Sequence, residues 1–422
     1  MDRTLRNPPC PPLRPDRLLA ALAVLALLVP ASRADIVIPG ANGSDGALNV
    51  TANTTIDLSQ AVAASWDATS PSPGKGVYDG AKWAVVFKYS SVNIASGVTL
   101  SFKNNASHAP VVWLVNGNVT ISGTVNLDGA NGVISSTTPG PTEPGPGGFR
   151  GGPPFQSATL LPGYGFGPGA PVGYHTGGSY SQVGAGTSPG TAYGNTLIVP
   201  LVGGSGGAAY SATSDRSGGA GGGAILIAAT AQVTVNGTIS AVGGDISSVE
   251  GCGSGGAVRI MANALGGTGI IRAIGGIAGS TSGGDGFIRL EALSVGGNLN
   301  VLPATAVEPP TSPVTLWAPT TAPSVRVVSV GASAVPSDPS SSLGPAPADV
   351  RFYSAAPLTV TIETKNVDTV NSKVTLRVTP KYGPAVLVAA TYASGTTATA
   401  LWTAPVSVPQ GFSAMQPRVD PK

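Results

Sequence analysis

Charged residues, cysteine and histidine are all scarce in this sequence. Only 10% of the 422 residues are charged, and the chain contains two Cys and two His. Chains that stay disordered combine high charge with few aliphatic residues, whereas 42% of these residues are hydrophobic. We therefore expect a large packed core. Neither His108 nor His175 has Cys or His neighbours at the spacing of metal ligands, so no metal and no cofactor is predicted.

Helical periodicity is missing as well. Beyond residue 34, no segment longer than a few residues places apolar side chains at the three- and four-residue spacing of a helix face. Glycine and proline are abundant instead, with 60 Gly and 38 Pro. The sequence therefore predicts an all-β protein that is rich in turns.

The first 34 residues have the features of a secretory signal peptide. Four arginines precede an apolar run over residues 18–29, and a small-x-small cleavage site ends at Ala34. A membrane anchor is the alternative, but the run is shorter than the roughly 20 apolar residues of a spanning helix and ends at Pro30. We predict cleavage after Ala34, a secreted or surface location, and no membrane span in the cleaved chain.

Cleavage changes what the charges and the cysteines imply. Residues 1–34 contain five Arg and two Asp, so their removal takes the net charge from +2 to −1. No basic stripe that would favour nucleic acid remains. Cys10 is removed too, which leaves Cys252 without a partner for an internal disulfide.

One strand pattern recurs along the chain. Residues 119–129 (VTISGTVNLDG) match residues 233–243 (VTVNGTISAVG), and weaker copies follow at 265–275 and 293–303. In each copy, alternate apolar side chains share one face and polar side chains share the other. With earlier copies near Lys82 and Pro110, the chain has about five coils, enough for a stack that buries its own core.

A second strand precedes each copy and sets its register. Aligning the glycines that begin these strands predicts two interior columns, which consist of Ile225, Val258 and Ile288, and of Ile227, Ile260 and Leu290. Arg259 and Arg289 then fall on the opposite face, which we expect to face water. Glycine recurs at one corner of each copy (123, 237, 269 and 297), where a tight bend needs positive φ or close backbone approach.

Residues 133–222 interrupt the ladder with an insertion rich in Gly, Pro, Ser and Tyr. A loop of this length is either functional or disordered. An insertion between coils maps to one face, so we expect that it need not support the stack. One interpretation is a glycine-rich cover whose aromatic side chains pack on the flank of the coils. The other is a binding surface, whose candidate glycan contacts are Tyr164, Phe166, Tyr174, Tyr180, Tyr193 and Tyr210.

The pattern changes after a Pro-rich linker over residues 303–323. Residues 324–422 contain short alternating strands separated by turn residues, at the spacing of an antiparallel sandwich. The region has no Cys pair, so its likeness to an immunoglobulin-like sandwich concerns architecture alone.

The glycine-framed repeats, together with residues 76–94 and 109–121, resemble exported glycine-rich β-helix proteins of bacteria. The fold of that group is similar to that of pectin lyases and autotransporter passenger domains. The resemblance covers most of residues 35–302 and implies a right-handed parallel β-helix. The expected fold is therefore all-β: this β-helix with its long insertion, followed by the immunoglobulin-like sandwich. No catalytic residue is carried over.

No set of catalytic residues stands out. A glycosidase needs two carboxylates across the scissile bond, and the chain beyond residue 34 has no Asp-Asp or Asp-x-Asp pair. A lyase needs a base, but Arg259, Arg272 and Arg289 are poor bases because the pKa of arginine exceeds about 12. Residues 40–48 partly resemble one Ca²⁺-binding nonapeptide, for which a capping turn is the alternative.

The leading hypothesis is an exported structural or adhesive scaffold of the cell surface or matrix, with polysaccharide or other surface components as partners. The alternative is a polysaccharide lyase or hydrolase with the pectin-lyase-like fold, so enzymatic activity stays open. A third hypothesis places carbohydrate binding on the C-terminal sandwich, with Trp317 or Trp402 as the stacking platform.

Overall fold

The computed structural model describes residues 35–134, 140–155, 161–210, 215–246, 250–344, 346–353 and 356–422. Residues 36–422 form one compact unit. The predicted signal peptide lies outside the described residues.

The protein is all-β with almost no helix, as the sequence predicts. Among the described residues the only helical turns are two 3₁₀ turns, Leu58–Gln60 and Gly279–Thr281. The strands of the N-terminal part are β1 Gly46–Val50, β2 Thr54–Asp57, β3 Val62–Ala63, β4 Val77–Asp79, β5 Ala84–Ile94, β6 Thr99–Lys103, β7 Val111–Val115, β8 Val119–Ile121, β9 Thr124–Asn126, β10 Ala224–Ala229, β11 Gln232–Val235, β12 Thr238–Ser240, β13 Ala257–Gly266, β14 Ile270–Arg272, β15 Phe287–Val295, β16 Asn300–Leu302 and β17 Val307–Glu308.

These strands build two sheets whose pairs are parallel except for β4 with β5. In sheet A, β10, β7, β5, β8, β11 and β13 form a closed circuit, which β15 and β17 extend. The circuit closes because the long strand β5 pairs with both β7 and β8, and the long strand β13 pairs with both β10 and β11. Sheet B runs β16-β14-β12-β9-β6-β2. Along the chain the strands therefore form six successive levels, which begin with β1, β5, β7, β10, β13 and β15.

Both predicted interior columns are confirmed by the strand register. Ile225 pairs with Val258, which pairs with Ile288, and the second column of three is paired in the same way. Their side chains lie in one hydrophobic core together with Phe87 and Trp113, which are fully buried. The period-two alternation of the sequence therefore identified the inner face of sheet A.

The opposite face of sheet A is covered, so the prediction that it faces water is wrong. Ile36, Ile38, Trp66 and residues 314–317 pack over it. Arg259 is only 3% exposed. Its Nε donates to Oε2 of Glu291 at 2.9 Å, and its second terminal nitrogen donates to the carbonyl of Thr315 at 2.9 Å. Alternation reveals which side chains share a face, but not which distant segments will cover that face.

The corner glycines are explained by backbone proximity. Of the four, only Gly297 has positive φ, at +84°. A Cβ built on Gly237 would instead fall against the carbonyl oxygen of Gly123, one level away. Glycine is needed there because adjacent levels approach too closely for a side chain.

A bundle of glycine-rich segments flanks the two sheets. We define the glycine bundle as residues 145–152, 163–169, 203–209, 217–223 and 251–256. Its hydrogen bonds repeat every three residues: the amides of Gly218, Gly221 and Ala224 donate to Gly152, Phe149 and Pro146 at 2.6–2.9 Å. The intervening amides of Gly219 and Gly222 donate to Gly251 and Ser254, both at 2.9 Å. Three residues per turn without internal hydrogen bonds is the geometry of a polyproline-II helix.

The glycine bundle makes the insertion part of the interior. Segments 251–256 and 241–244 connect the levels of the stack, and they pair with insertion segments on several sides. For example, Ser254 donates to Ser205, and Gly244 donates to Ala220. These pairings oppose the expectation that the insertion need not support the stack, because removing residues 133–222 would leave these backbone groups without partners.

The C-terminal strands are antiparallel and form two further sheets. They are β18 Ser324–Val330, β19 Ser333–Ala334, β20 Leu358–Lys365, β21 Ser372–Pro380, β22 Val386–Ala389, β23 Thr391–Gly395, β24 Thr399–Val406 and β25 Ser413–Pro421. Five strands in the order β19-β18-β20-β24-β23 share a core with the three strands β22-β21-β25. Arg377 fixes this region to the insertion, next to segment 163–169 of the glycine bundle, by donating to the carbonyls of Ala170 and Pro171 at 3.0 and 2.8 Å.

Replacing Arg259 by Asp should destabilise the protein by more than about 3 kcal/mol, because it leaves a second buried carboxylate beside Glu291. Ile260→Asp in the inner column should cost as much. Arg272→Asp is the matched control, since Arg272 is exposed on sheet B, and it should change stability little. Urea unfolding of the three variants measures this. A mild Arg259→Asp would mean that the outer face is open to water.

Gly221→Ala should cost at least about 2 kcal/mol, because the added Cβ would fall on the backbone of Gly204 in the interior of the bundle. Gly296→Ala is the control, since a Cβ there meets no atom within 4 Å. Thermal melts of both variants test the bundle. Equal melting temperatures would contradict its tight packing.

Candidate functional site

The six aromatic residues proposed from the sequence do not meet on one surface. Tyr180 is 1% exposed, packs on Tyr193 and Phe287 with ring centroids 4.6 and 5.0 Å away, and donates its hydroxyl to Val202. Tyr193 donates to Gly203 at 2.6 Å. Burial raises the pKa of both hydroxyls. These two side chains support the glycine bundle from inside.

The other four lie in three places. Tyr164 and Tyr174 are half-buried and stack edge to face, with centroids 4.7 Å apart. Tyr210 makes a similar contact with the ring of His175 at 4.5 Å. Phe166 is 6% exposed and lines a cavity. The aromatic content of the insertion therefore does not by itself define a site.

That cavity, the Trp83 cleft, has a volume of about 330 Å³. It lies where the parallel sheets, the glycine bundle and the C-terminal strands meet. Its aromatic wall consists of Trp83, Phe149 and Phe166, and its polar lining includes His108, Arg150, Asp338 and Gln416. Apolar walls with a few convergent polar groups are typical of small-molecule sites of this size.

Two residues of the cleft have a strained backbone. Trp83 has φ +48° and His108 has φ +52°, in the left-handed region that non-glycine residues rarely occupy. Local hydrogen bonds hold both turns: Asp79 accepts from the amide of Lys82, and Asn105 accepts from the amides of His108 and Ala109. Such strain costs about 1–3 kcal/mol per residue and clusters at functional sites.

Three charged or titratable side chains form a cluster at one wall. Arg150 Nε donates to Glu143 Oε1 at 2.8 Å, and His108 Nε2 lies 3.0 Å from Glu143 Oε2 and 2.9 Å from an Arg150 terminal nitrogen. A neutral ring nitrogen either donates or accepts. Nε2 therefore binds the carboxylate in one tautomer and the guanidinium in the other.

The carboxylate of this cluster is held ionised. Partial desolvation acts to raise the pKa of Glu143, although 58% of its side chain is exposed. The hydrogen bonds from His108 and Arg150 and their charges outweigh this and lower the pKa to about 2. A general acid in glycoside hydrolysis needs a raised pKa. Glu143 is therefore suited to orienting Arg150 and His108, not to protonating a leaving group.

The C-terminal region supplies the opposite wall. Asp338 Oδ1 accepts from the Tyr78 hydroxyl at 2.7 Å, and that hydroxyl accepts from Ser107 Oγ at 2.8 Å. Burial, and then the bond to Asp338, raise the pKa of Tyr78. Gln416 accepts from the amide of Gly167 at 3.2 Å through its carbonyl, which directs the position of its amide group.

Other groups considered from the sequence are engaged in structural contacts. The carboxylate of Asp45, in the nonapeptide-like turn, accepts from Ser70, Gly74 and the amide of Lys88 at 2.6–2.9 Å. Burial raises the pKa of the Cys252 thiol to about 12. Trp402 is 4% exposed, and its indole donates to Thr364. Among the described residues, no three His, Cys, Asp or Glu side chains cluster as metal ligands would.

Apart from Phe166, the residues of the cleft were missed by sequence reasoning. Trp83 reads as the start of a strand, and His108 as an isolated loop histidine. The usable signals were the turn-forming Asp79 and Asn105 just upstream of each. Nothing local connects them to Asp338, which is more than 200 positions away in the sequence.

None of the helical turns in the described ranges has the length or apolar character that crossing a bilayer requires.

Glu143→Gln should weaken the protein at neutral pH and have less effect in acid. Because the pKa of Glu143 is lowered from 4.5 to about 2, its stabilising contribution is present above pH 4.5 and lost as pH falls towards 2. The melting-temperature difference between wild type and variant should therefore shrink across that interval. A difference that does not change with pH would show that the cluster contributes no charge-dependent stability.

Comparison with known proteins adds no relative: no family model, curated protein or solved structure matches this chain.

Proposed function

We propose that this protein is an exported scaffold of the cell surface or matrix that binds a glycan in the Trp83 cleft without transforming it. The observation that carries the proposal is the convergence of three aromatic rings with Arg150, Asp338 and Gln416 around one cavity. Sugar rings present C–H groups on their faces and hydroxyls at their edges. Aromatic faces match the former, and carboxylate, amide and guanidinium groups match the latter.

Export is proposed from the sequence of residues 1–34, with its basic start, apolar run and small-x-small end. The six parallel levels support a β-helix as the finer description of the N-terminal region. A right-handed path is proposed because parallel crossovers take that hand in nearly all proteins. The two antiparallel sheets of residues 324–422, which share one core, support an immunoglobulin-like arrangement.

A binding role is favoured over catalysis by the charge state of the cleft. Glu143 stays ionised, and Arg150 is paired with it. The alternative is a polysaccharide lyase or hydrolase, and one observation favours it. His108 lies within hydrogen-bond distance of Glu143 and Arg150, so its ring nitrogen could accept a proton from a substrate beside the Arg150 cation. Release of reducing or unsaturated ends from a polysaccharide panel would support this alternative.

Gln416→Ala should weaken glycan retention about tenfold or more, since about 1.4 kcal/mol of lost contact corresponds to tenfold. Trp83→Ala should abolish retention. Tyr353→Ala is the control, because Tyr353 is 99% exposed and is not part of the cleft. Binding of residues 36–422 to a glycan array, followed by titration of the hits, measures this. If both cleft variants retained glycan as the wild type does, the binding site would lie outside the Trp83 cleft.

A further inference from the structure

The charges that line the Trp83 cleft do not cancel. Among the described residues of its lining, Arg150 and Asp338 are the two that carry a full charge at neutral pH. Arg150 is already paired with Glu143, whose carboxylate accepts from its Nε at 2.8 Å. Neutral His108 adds no charge, whichever ring nitrogen holds the proton. The carboxylate of Asp338 is therefore the uncompensated charge of the cavity.

One oxygen of this carboxylate is free to bind a ligand. Oδ1 of Asp338 accepts from the Tyr78 hydroxyl at 2.7 Å, whereas no residue in the described part of the chain donates to Oδ2 or forms an ion pair with the carboxylate. A Cβ built on Gly80 would lie 3.0 Å from Oδ2. The amide of Trp83 donates to the carbonyl of Gly80 at 3.3 Å. Oδ2 therefore lies against the turn that carries Trp83.

Two further carboxylates add to the negative potential at this wall. Asp79 accepts from the amide of Lys82 at 3.1 Å, in the turn that leads to Trp83. Asp349 accepts from the amide of Ser340, which lines the cleft, at 2.8 Å. Amides satisfy these oxygens without cancelling their charge. Within the described ranges neither carboxylate has an ion-pair partner.

The cations next to these elements are engaged elsewhere. The ammonium group of Lys82 lies 5.9 Å from the ring centroid of Trp317. Arg377 lies opposite Gln416 in the strand register, but its guanidinium donates to two backbone carbonyls of the insertion. Neither of these two cations lines the cavity. They therefore do not occupy the place of a ligand beside Asp338.

The aromatic wall favours the same sign of ligand charge. The face of an aromatic ring attracts a cation because its quadrupole places negative charge there, and the effect is largest for tryptophan. The indole of Trp83 donates to the carbonyl of Ser107 at 2.9 Å, which fixes the ring in the wall. An ammonium group has three donors and no acceptor. Asp338 and the ring of Trp83 could both contact it without leaving an acceptor unpaired.

We propose that the glycan bound in the Trp83 cleft carries a cationic amino group, as an unacetylated amino sugar does, and that Asp338 binds this ammonium group. The inference rests on the proposed function, because it takes the Trp83 cleft as the glycan site. N-acetylation would remove the positive charge and place an acceptor carbonyl near the carboxylate. A uronate would be repelled by Asp338, and Arg150 already has a carboxylate partner in Glu143.

Titration of residues 36–422 with three tetrasaccharides tests the charge preference. They consist of glucosamine, of N-acetylglucosamine and of galacturonate. We expect the glucosamine oligomer to bind at least about tenfold more tightly than its acetylated form, and the galacturonate oligomer to bind most weakly. The preference should shrink as the salt concentration rises, because Asp338 is exposed and salt screens its charge. Equal binding of the glucosamine oligomer and its acetylated form would overturn the inference.

Asp338→Asn tests whether this carboxylate causes the preference. Asparagine keeps an oxygen that can accept from Tyr78 but removes the charge. We expect the glucosamine oligomer to bind about tenfold more weakly, and the acetylated oligomer to bind as it does to wild type. Asp368→Asn is the matched control: it changes the net charge equally, and Asp368 is exposed in the C-terminal region and is not part of the cleft. An amine preference that Asp338→Asn retained, or that Asp368→Asn lost as well, would contradict the assignment.

Trp83→Ala separates failure of this inference from failure of the proposed function. If wild type bound a neutral glycan in preference to the glucosamine oligomer and Trp83→Ala lost that binding, the cleft would remain a glycan site and only the amino-group inference would be wrong. If wild type bound no glycan, or Trp83→Ala bound as wild type does, both would be wrong. Circular dichroism checks that each variant is folded.

Discussion

Close backbone approach without intervening Cβ atoms is the constraint on which this structure depends. In the glycine bundle, one segment donates hydrogen bonds to three neighbours in turn, and an added Cβ on Gly221 or Gly253 would strike a neighbouring carbonyl. The same approach sets the corners of the parallel levels. Because the bundle joins the segments that connect levels, its backbone hydrogen bonds position the sheets, the insertion and the docking surface of the C-terminal strands together.

Charge is used sparingly and is partly buried. Glu291 lies between Arg259 and Arg289, at 2.9 and 3.2 Å, on a face covered by residues 314–317. Lys88 is fully buried, its ammonium group has no hydrogen-bond partner, and burial lowers its pKa. Buried ion pairs such as those of Glu291 add little net stability. They do penalise a shifted register, because a slip of one residue along the strand would turn these charged side chains into the apolar interior.

The Trp83 cleft exists only because three parts of the chain meet. Trp83 and His108 come from turns of the parallel stack, Phe149 and Arg150 from the glycine bundle, and Asp338 from the C-terminal region. The strained turns at Trp83 and His108 are held by side-chain hydrogen bonds and by the bond from the Trp83 indole to Ser107 at 2.9 Å. A cavity assembled this way depends on the docking to which Arg377 contributes, so the shape of the cleft and the relative position of the C-terminal strands are linked.

The sequence by itself determined the all-β class, the parallel register and the interior columns such as Ile227 with Ile260. These depend on strand periodicity, which local alternation records. Tertiary structure alone decided that Arg259 is buried, that Gly237 is needed for proximity and not for positive φ, and that the insertion is interior. It also decided that Tyr180 and Tyr193 are packing residues and that Trp83 faces Asp338. In each case the deciding contact comes from a segment distant in sequence, and residue spacing carries no information about which segments will dock there.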